Sequence, residues 1–241
     1  MNQPLTPSYR PLYQQIKDAL LSRIVAGEWP PGTFIPSESA LAKEYGVSVG
    51  TLRKALDALA SEHVVIRHQG KGTVVATHDS DRSLFQFFHL VHLDGTRSLP
   101  ISRVLARDCR AASRDEAEAL GIEEGEAVVH IRRVRDLDEA PALLEDLVVA
   151  AERFPALEQE PATLPNTLYQ LYQQRFGQSV AKAEERLFAV TASPTEEEVL
   201  KVAPGTPLLE IRRIARDLQG QALEYRVSRC ETQRHCYLNE L

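Results

Sequence analysis

Long apolar runs, a cysteine framework and an excess of positive charge are all missing from this sequence. No apolar run approaches the ~20 residues that a membrane-spanning helix needs. No membrane partner is therefore expected. The opening residues, MNQPLTPSYR, lack the apolar core of an export signal, which points to the cytoplasm. Cysteine occurs at positions 109, 230 and 236, an odd count without metal-ligand spacing. That pattern reads as reduced, half-buried structural thiols. His89, His92, His130 and His235 are likewise scattered without metal spacing. No Ser-His-Asp set, metal cluster or phosphate loop stands out, so no catalytic residue, metal or cofactor is assigned.

A net charge of −6 argues at first against a nucleic-acid partner, but its distribution matters more than its sum. Residues 1–78 hold 8 Lys and Arg against 6 Asp and Glu, a balance of +2; residues 79–241 hold 20 against 28, a balance of −8. A mildly basic N-terminal part is joined to an acidic remainder. A length of 241 residues suffices for two modest domains with cores of their own.

Leu12, Ile16, Leu20 and Ile24 form one apolar stripe and predict a first helix ending at Gly27. Pro30, Pro31, Gly32 and Pro36 force a loop. Ser37 is placed as the N-cap of a second helix that buries Leu41, Ala42 and Tyr45 and breaks at Gly46. Ser48 caps a third helix with an inner stripe of Leu52, Ala55, Leu56 and Leu59 and an outer face of Val49, Gly50, Arg53 and Asp57. Two short helices, a glycine turn and a polar outer face describe a helix-turn-helix. Two strands, 64–67 and 73–76, follow, with Gln69, Gly70, Lys71 and Gly72 at the tip between them. Such a hairpin reads as a wing. Glycine lets backbone approach a sugar-phosphate groove, and Lys71 supplies a phosphate contact.

The stretch over about residues 9–77 resembles the DNA-binding domain of the GntR regulators: a P-L-Y opening, P-G before P-S-E, V-S-x-x-T-x-R-x-A-L and Q-G-K-G-T. That resemblance implies a recognition helix presenting Ser48, Thr51, Arg53 and Lys54, with Gly70 at the minor groove. Ser37, Ser39, Val49, Gln69, Lys71 and Gly72 complete the expected DNA-facing set. Many members of the family carry arginine after P-S-E and after V-S, where this chain has Ser39 and Val49. Arginine is the commonest bidentate reader of guanine. The operator is therefore expected to differ from the usual family sequence at the corresponding half-site bases.

Residues 78–94 read as a linker around Asp79, Ser80, Asp81 and Arg82 and an entry strand from the aromatic segment Phe85, Phe87 and Phe88. These phenylalanines read as core rather than as a ligand cage. An internal repeat follows. Residues 113–133 match 193–213 at an offset of 80, pairing Ser113 with Ser193, Glu116 with Glu196 and Arg133 with Arg213. Ser with Glu three residues on is a capping box, so each copy opens with a helix. Each then continues as strand, turn and strand, 127–135 and 143–149 in the first copy and 208–216 and 223–229 in the second. Residues 167–176 form a further amphipathic helix, and 196–198 a solvated first helical turn. The expected fold class is α+β: an N-terminal winged helix-turn-helix plus a C-terminal antiparallel sheet flanked by helices.

Residues 95–236 resemble the UTRA effector domain of the HutC-type branch, through GEAVVHIRRVRDLDEAPALLEDLVVAAERFP and GTPLLEIRRIARDLQGQALEYRVSRC. The resemblance implies a chorismate-lyase-like fold that binds an effector and dimerises. Strand alternation puts Val129, Ile131, Arg133 and Arg135 on one face. A guanidinium beside apolar neighbours needs an anion. Arg133 and Arg135 would thus hold an anionic group, Glu145 and Glu224 could accept bonds from the ligand, and Thr167 could donate at a helix N-terminus. Internal salt bridges to the many glutamates are the competing account of these arginines. The expected protein is a homodimeric regulator, a repressor of operator DNA controlled by a small anionic effector. A chorismate-lyase-like enzyme fused to a DNA-binding domain and an effector-independent DNA-binding protein are the alternatives.

Overall fold

The fold is that of a computed structural model describing residues 10–78, 87–160 and 164–239. The linker residues 79–82 and Phe85 lie outside the described residues. The chain divides into two compact units, Met1–Thr77 and His78–Leu241.

In the first unit, α1 (Leu12–Val25), α2 (Glu38–Tyr45) and α3 (Val49–Ser61) pack around Ile16, Leu20, Leu41, Leu52, Leu56 and Leu59, none of them exposed. Both expected caps form: Ala40 N donates to Ser37 Oγ at 3.2 Å and Thr51 N to Ser48 Oγ at 3.1 Å. Gly46 ends α2 in the left-handed conformation, φ 65°, where a side chain would be strained. Leu12 departs from the expected stripe. It is 44% exposed, in the first turn of α1, beside an open groove lined by Ser48, Gly50 and Thr51. Tyr45 is half-buried rather than core, because its hydroxyl accepts a bond from Arg23 at 3.1 Å. The wing strands β1 (Val65–His68) and β2 (Gly72–Val75) pair antiparallel, each one residue from its expected bounds.

The second unit has a short pair, β3 (Leu90–His92) with β10 (His235–Tyr237), and a six-stranded antiparallel sheet. The latter contains β4 (Ile101–Ala111), β5 (Ala127–Leu137), β6 (Ala140–Ala150), β7 (Val180–Thr191), β8 (Pro207–Asp217) and β9 (Ala222–Glu231), in the order β4-β5-β6-β9-β8-β7. The entry strand is thus displaced from the phenylalanine segment to Leu90–His92, and it pairs with the C-terminal strand instead of joining the main sheet. The order is symmetric about the β6–β9 junction, so the repeat is one strand longer than its sequence signature. β4 and β7 escaped notice because they are mostly exposed edge strands with several charged residues and little buried apolar content.

Helices α4 (Arg114–Leu120) and α6 (Pro194–Leu200) cover one face through Ala117, Leu120, Leu200 and the strand residues Val128, Val134, Leu144, Val148 and Leu208. Both open with capping boxes. Glu196 is buried at 4% exposure, correcting the solvated reading of that turn, because it caps Ser193 and pairs with Arg229 at 3.2 Å. The other face meets α5 (Leu168–Phe176), where Tyr172 and Phe154 pack 4.6 Å apart among Val129, Ile131, Leu147 and Val149. Burying two such aromatic rings is worth several kcal/mol, on the order of ~25 cal/mol per Å² of apolar surface removed from water. Cys230 is buried, and burial pushes its thiol pKa well up; Cys236 is half-buried and Cys109 exposed, so Cys109 departs from the half-buried reading. No described helix is long and apolar enough to cross a membrane.

On the α4 side of the sheet, His130 Nε2 lies 2.7 Å from Asp146 and Nδ1 3.2 Å from Asp108, with Arg132 also on Asp146. The Asp146 bond, then the Asp108 bond, raise the His130 pKa above its ordinary 6.5, while burial and Arg110 oppose them. A raised folded-state pKa stabilises fully below the unfolded value and is lost as pH rises through the folded value. Urea unfolding at about pH 6 and about pH 8.5 should show a smaller pH-dependent loss for His130→Gln than for the native chain. Equal losses would refute this role.

Candidate functional site

The first unit sets its polar residues on one surface through two caps and a hairpin. Ser39, Ser48, Val49, Arg53, Lys54, Gln69, Gly70, Lys71 and Gly72 are all exposed, and Thr51 is half-exposed. Ser37 Oγ lies 3.2 Å from Ser39 Oγ, and Ser48 Oγ 2.9 Å from Thr51 Oγ1, so the expected hydroxyls also serve as local structure. Val49 at 41% exposure opens α3. Gly70 and Gly72 take φ of 73° and 118°, and a Cβ on Gly72 would meet the Phe34 ring. Only glycine holds that tip without strain.

Arginines of this surface converge on one carboxylate. Arg53 donates to Glu38 at 3.0 Å, and Arg67 donates to the same carboxylate and to Asp57 at 2.7 Å. Arg53 remains 58% exposed at its side chain. Glu38 thus ties the start of α2 to the outer face of α3 and to the wing. From sequence alone, Glu38 reads only as a charge that favours a helix N-terminus.

In the second unit, strand alternation carries Arg133 and Arg135 onto the α5 face, where they are 1% and 2% exposed. They line a cavity with Phe87, Phe88, Thr167 and Tyr169, enclosing about 280 Å³ of atom-free space partly open to solvent. Thr167 is the N-cap residue of α5, and its side chain makes no cap bond. The competing account, internal salt bridges, describes Arg133 but not Arg135. Arg133 Nε donates to Glu145 at 2.6 Å, an internal salt bridge. Arg135 has no carboxylate partner among the described residues. Its Nε and Nη2, and Nη1 of Arg133, are buried without hydrogen bonds, and Phe88 lies over the guanidinium at 4.5 Å. Burial, then the neighbouring Arg133, push the Arg135 pKa well below that of a free guanidinium.

Glu145 is fully buried and yet ionised. Burial favours its neutral form, but Arg133, Arg226 and Arg135 together hold its pKa far below the usual carboxylate range. Ser228 also donates to it at 3.0 Å. Glu224 is held by Arg226 at 2.8 Å and by the hydroxyls of Tyr169 and Tyr172 at 3.2 and 2.8 Å. Glu145 and Glu224 both follow a leucine in corresponding strands of the repeat, yet the register sets them at different places. Glu145 stands opposite Arg133, whereas Arg226 stands opposite Arg213 and Glu224 opposite Ala215. The β8–β9 turn is longer than the β5–β6 turn, which shifts the copies. Arg213, Arg226, Asn166 and Tyr169 are lining residues that the sequence reading did not name as a site. Arg213 was within reach, as the repeat partner of Arg133. The four scattered histidines are partly gathered: the rings of His92 and His235 lie 4.8 Å apart, and His235 bonds Glu231 at 2.5 Å. No group fit to hold a metal occurs among the described residues.

Residues 97–235 match the UTRA domain model, and residues 12–75 match the model for bacterial regulatory proteins of the gntR family. The chain is 31% identical over 204 residues to the histidine utilization repressor of Pseudomonas aeruginosa, covering 84% of this chain and 80% of that one. It is 29% identical over 222 residues to the mannosyl-D-glycerate transport/metabolism system repressor of Escherichia coli K12, covering 90% of each. Among solved structures, a ligand-binding domain assigned to the GntR family from Bordetella bronchiseptica matches with 33% identity and a TM-score of 0.59, covering 64% of this chain and 97% of that one. PhnF from Mycobacterium smegmatis shares the fold over 94% of this chain and 98% of its own, at 23% identity and a TM-score of 0.55.

The two cavity arginines should respond with opposite sign to the same substitution. Arg135→Met removes an unpaired buried charge and should raise the stability of the ligand-free protein by about 1–4 kcal/mol. Arg133→Met strips a buried carboxylate of its closest partner and should cost about 3–5 kcal/mol. Denaturant midpoints of both variants check this, and a destabilised Arg135→Met would refute the charge assignment.

Proposed function

The chain belongs to the GntR family of bacterial regulatory proteins, with a UTRA domain as its second unit, and from that premise we propose a repressor that leaves its operator when a small anionic effector fills the second unit. By family, this is a DNA-binding regulator of transcription, not an enzyme. Within the proposal, residues 9–77 bind the operator, 95–236 bind the effector and form the dimer, and 78–94 connect them.

The observation that carries the anionic effector is Arg135, a buried guanidinium in a cavity, lacking a carboxylate partner among the described residues. A buried charge is costly until it is paired. A ligand carboxylate or phosphate would pair it, with Thr167 and the first amides of α5 beside it. On the DNA side, the exposed set from Ser37 to Gly72 is the proposed interface, with Arg53 and Lys54 on the recognition helix and Lys71 at the wing. Helix-turn-helix proteins read two half-sites as dimers. Exposed apolar residues on both outer strands, Ile101 and Leu105 on β4 and Leu187 and Phe188 on β7, support a symmetric pair formed by the second unit. Effector binding then shifts the population toward a dimer that fits the operator poorly.

An operator selected from random duplexes, followed by fluorescence anisotropy, tests the DNA half. Lys54→Ala should weaken binding to all sequences alike and lower the salt slope by about 1. Arg53→Ala should cost about 1–3 kcal/mol and relax the preference at one base pair. Unchanged affinity in both variants would remove α3 from the interface. The selected site should lack the guanines that arginine at positions 39 and 49 would read. Arg135→Met should bind the operator like the native chain but resist release by anions that release the native protein. Release of both alike would place the effector elsewhere, and no release by any anion would favour the effector-independent reading.

A further inference from the structure

We infer that the effector is a small monocarboxylate with an apolar body. This rests on the proposed reading of the cavity as an anion site and adds the charge and the class of the anion. The α5 face of the sheet buries four guanidinium groups, those of Arg133, Arg135, Arg213 and Arg226, each no more than 8% exposed. Three carboxylates face them. Glu145 takes Arg133 at 2.6 Å and Arg226 at 3.4 Å, Glu224 takes Arg226 at 2.8 Å, and Glu185 takes Arg213 at 2.5 Å. All three have at least one arginine within ion-pair distance, and the cluster carries one positive charge too many. The donors left over mark where that charge is: Nε and Nη2 of Arg135 and Nη1 of Arg133.

One excess positive charge calls for one negative charge. A carboxylate carries one. A phosphate monoester at neutral pH carries ≈ 1.5 to 2, which would leave up to one surplus negative charge buried beside Glu145. A dicarboxylate would do the same. Phe88 lies over the flat of the Arg135 guanidinium at 4.5 Å, so the anion meets Arg135 at its edge, where a planar carboxylate can take two donors. The rest of the lining suits an apolar body rather than a polyol. Phe87, Phe88, Leu168 and Tyr169 face the space; of the polar lining residues, Asn166, Tyr169, Arg213 and Arg226 already bond to protein groups, which leaves Thr167 beside the anion. The 280 Å³ includes open solvent, and the enclosed room is about 20 Å³, little more than the about 10–15 Å³ that one water needs, so the enclosed body is small.

The test uses the full chain and two matched pairs of probes: acetate against inorganic phosphate, and phenylacetate against phenyl phosphate. Phenylacetamide is the uncharged control. Calorimetric binding and thermal shift are recorded at neutral pH for the native protein and for Arg135→Met. Each carboxylate should bind at least about 10-fold tighter than its phosphate partner. Arg135→Met should lose that binding by about 10-fold or more, and phenylacetamide should bind neither protein. Phosphate probes that bind more tightly than the carboxylates and depend on Arg135 would overturn the monocarboxylate while leaving the anion site standing. Failure of every anion to bind in an Arg135-dependent way would overturn both. Arg135→Gln repeats the comparison should the methionine variant not fold.

Discussion

Four guanidinium groups share one buried face of a six-stranded sheet, and the second unit is organised around the cost of keeping them there. Three glutamates are pulled into the same face, two of them fully buried. Glu145 bridges Arg133 and Arg226 and accepts a hydroxyl from Ser228; Glu224 takes Arg226 and two tyrosine hydroxyls from α5. Tyr169 and Tyr172 are therefore more than packing. Their rings close the apolar core while their hydroxyls complete the polar network, so the helix that caps the core also borders the cavity. Three of its cations have a carboxylate partner and the fourth has none among the described residues, and that shortfall is what the proposed effector would fill.

The first unit balances charge in a different setting. Glu38 holds Arg53 and Arg67, but at a surface where water screens the pairs and each is weak. Exchanging a weak surface carboxylate for a phosphate costs little. In the proposed reading, Glu38 would order these arginines without DNA and yield them to phosphates. A charge of +2 over residues 1–78 is modest for a DNA-binding unit. Part of that modesty is local: Glu38 and Asp57 stand within the polar face itself, orienting arginines there while subtracting from its field.

Sequence alone carried the helix-turn-helix, because caps and apolar stripes are local. Ser37, Gly46 and Ser48 act where their chemistry says they should. The repeat carried the sheet, since capping boxes and alternating strands recur at a fixed offset. What escaped was non-local. β4 and β7 lack alternation strong enough to signal a strand, because edge strands bury little of either face. Arg226 looked like any surface arginine until the register set it beside Glu145. Whether Arg133 and Arg135 were bound by glutamates was undecidable from spacing, since Glu145 lies twelve residues from Arg133 and meets it only through the β5–β6 pairing. Leu12 and Glu196 were misjudged for the same reason: exposure depends on what packs opposite, and that is set by the chain far away.

The repeat also explains why the surplus charge is one-sided. The sheet is symmetric in strand order about β6 and β9, and Arg133 and Arg213 occupy matching places in β5 and β8. Two residues on, the copies diverge. Arg135 stands in the first copy where Ala215 stands in the second. The longer second turn then brings Arg226, not a glutamate, opposite Arg213, and sets Glu224 opposite Ala215. The first copy sets Arg133 and Arg135 against Glu145, whereas the second sets Arg213 and Arg226 against Glu185 and Glu224. Arg135 in the first copy has no matching acid, so the surplus charge collects near the N-terminus of α5. A duplicated scaffold thereby carries an unequal charge, set by Arg135 in one copy and Ala215 at the matching place in the other.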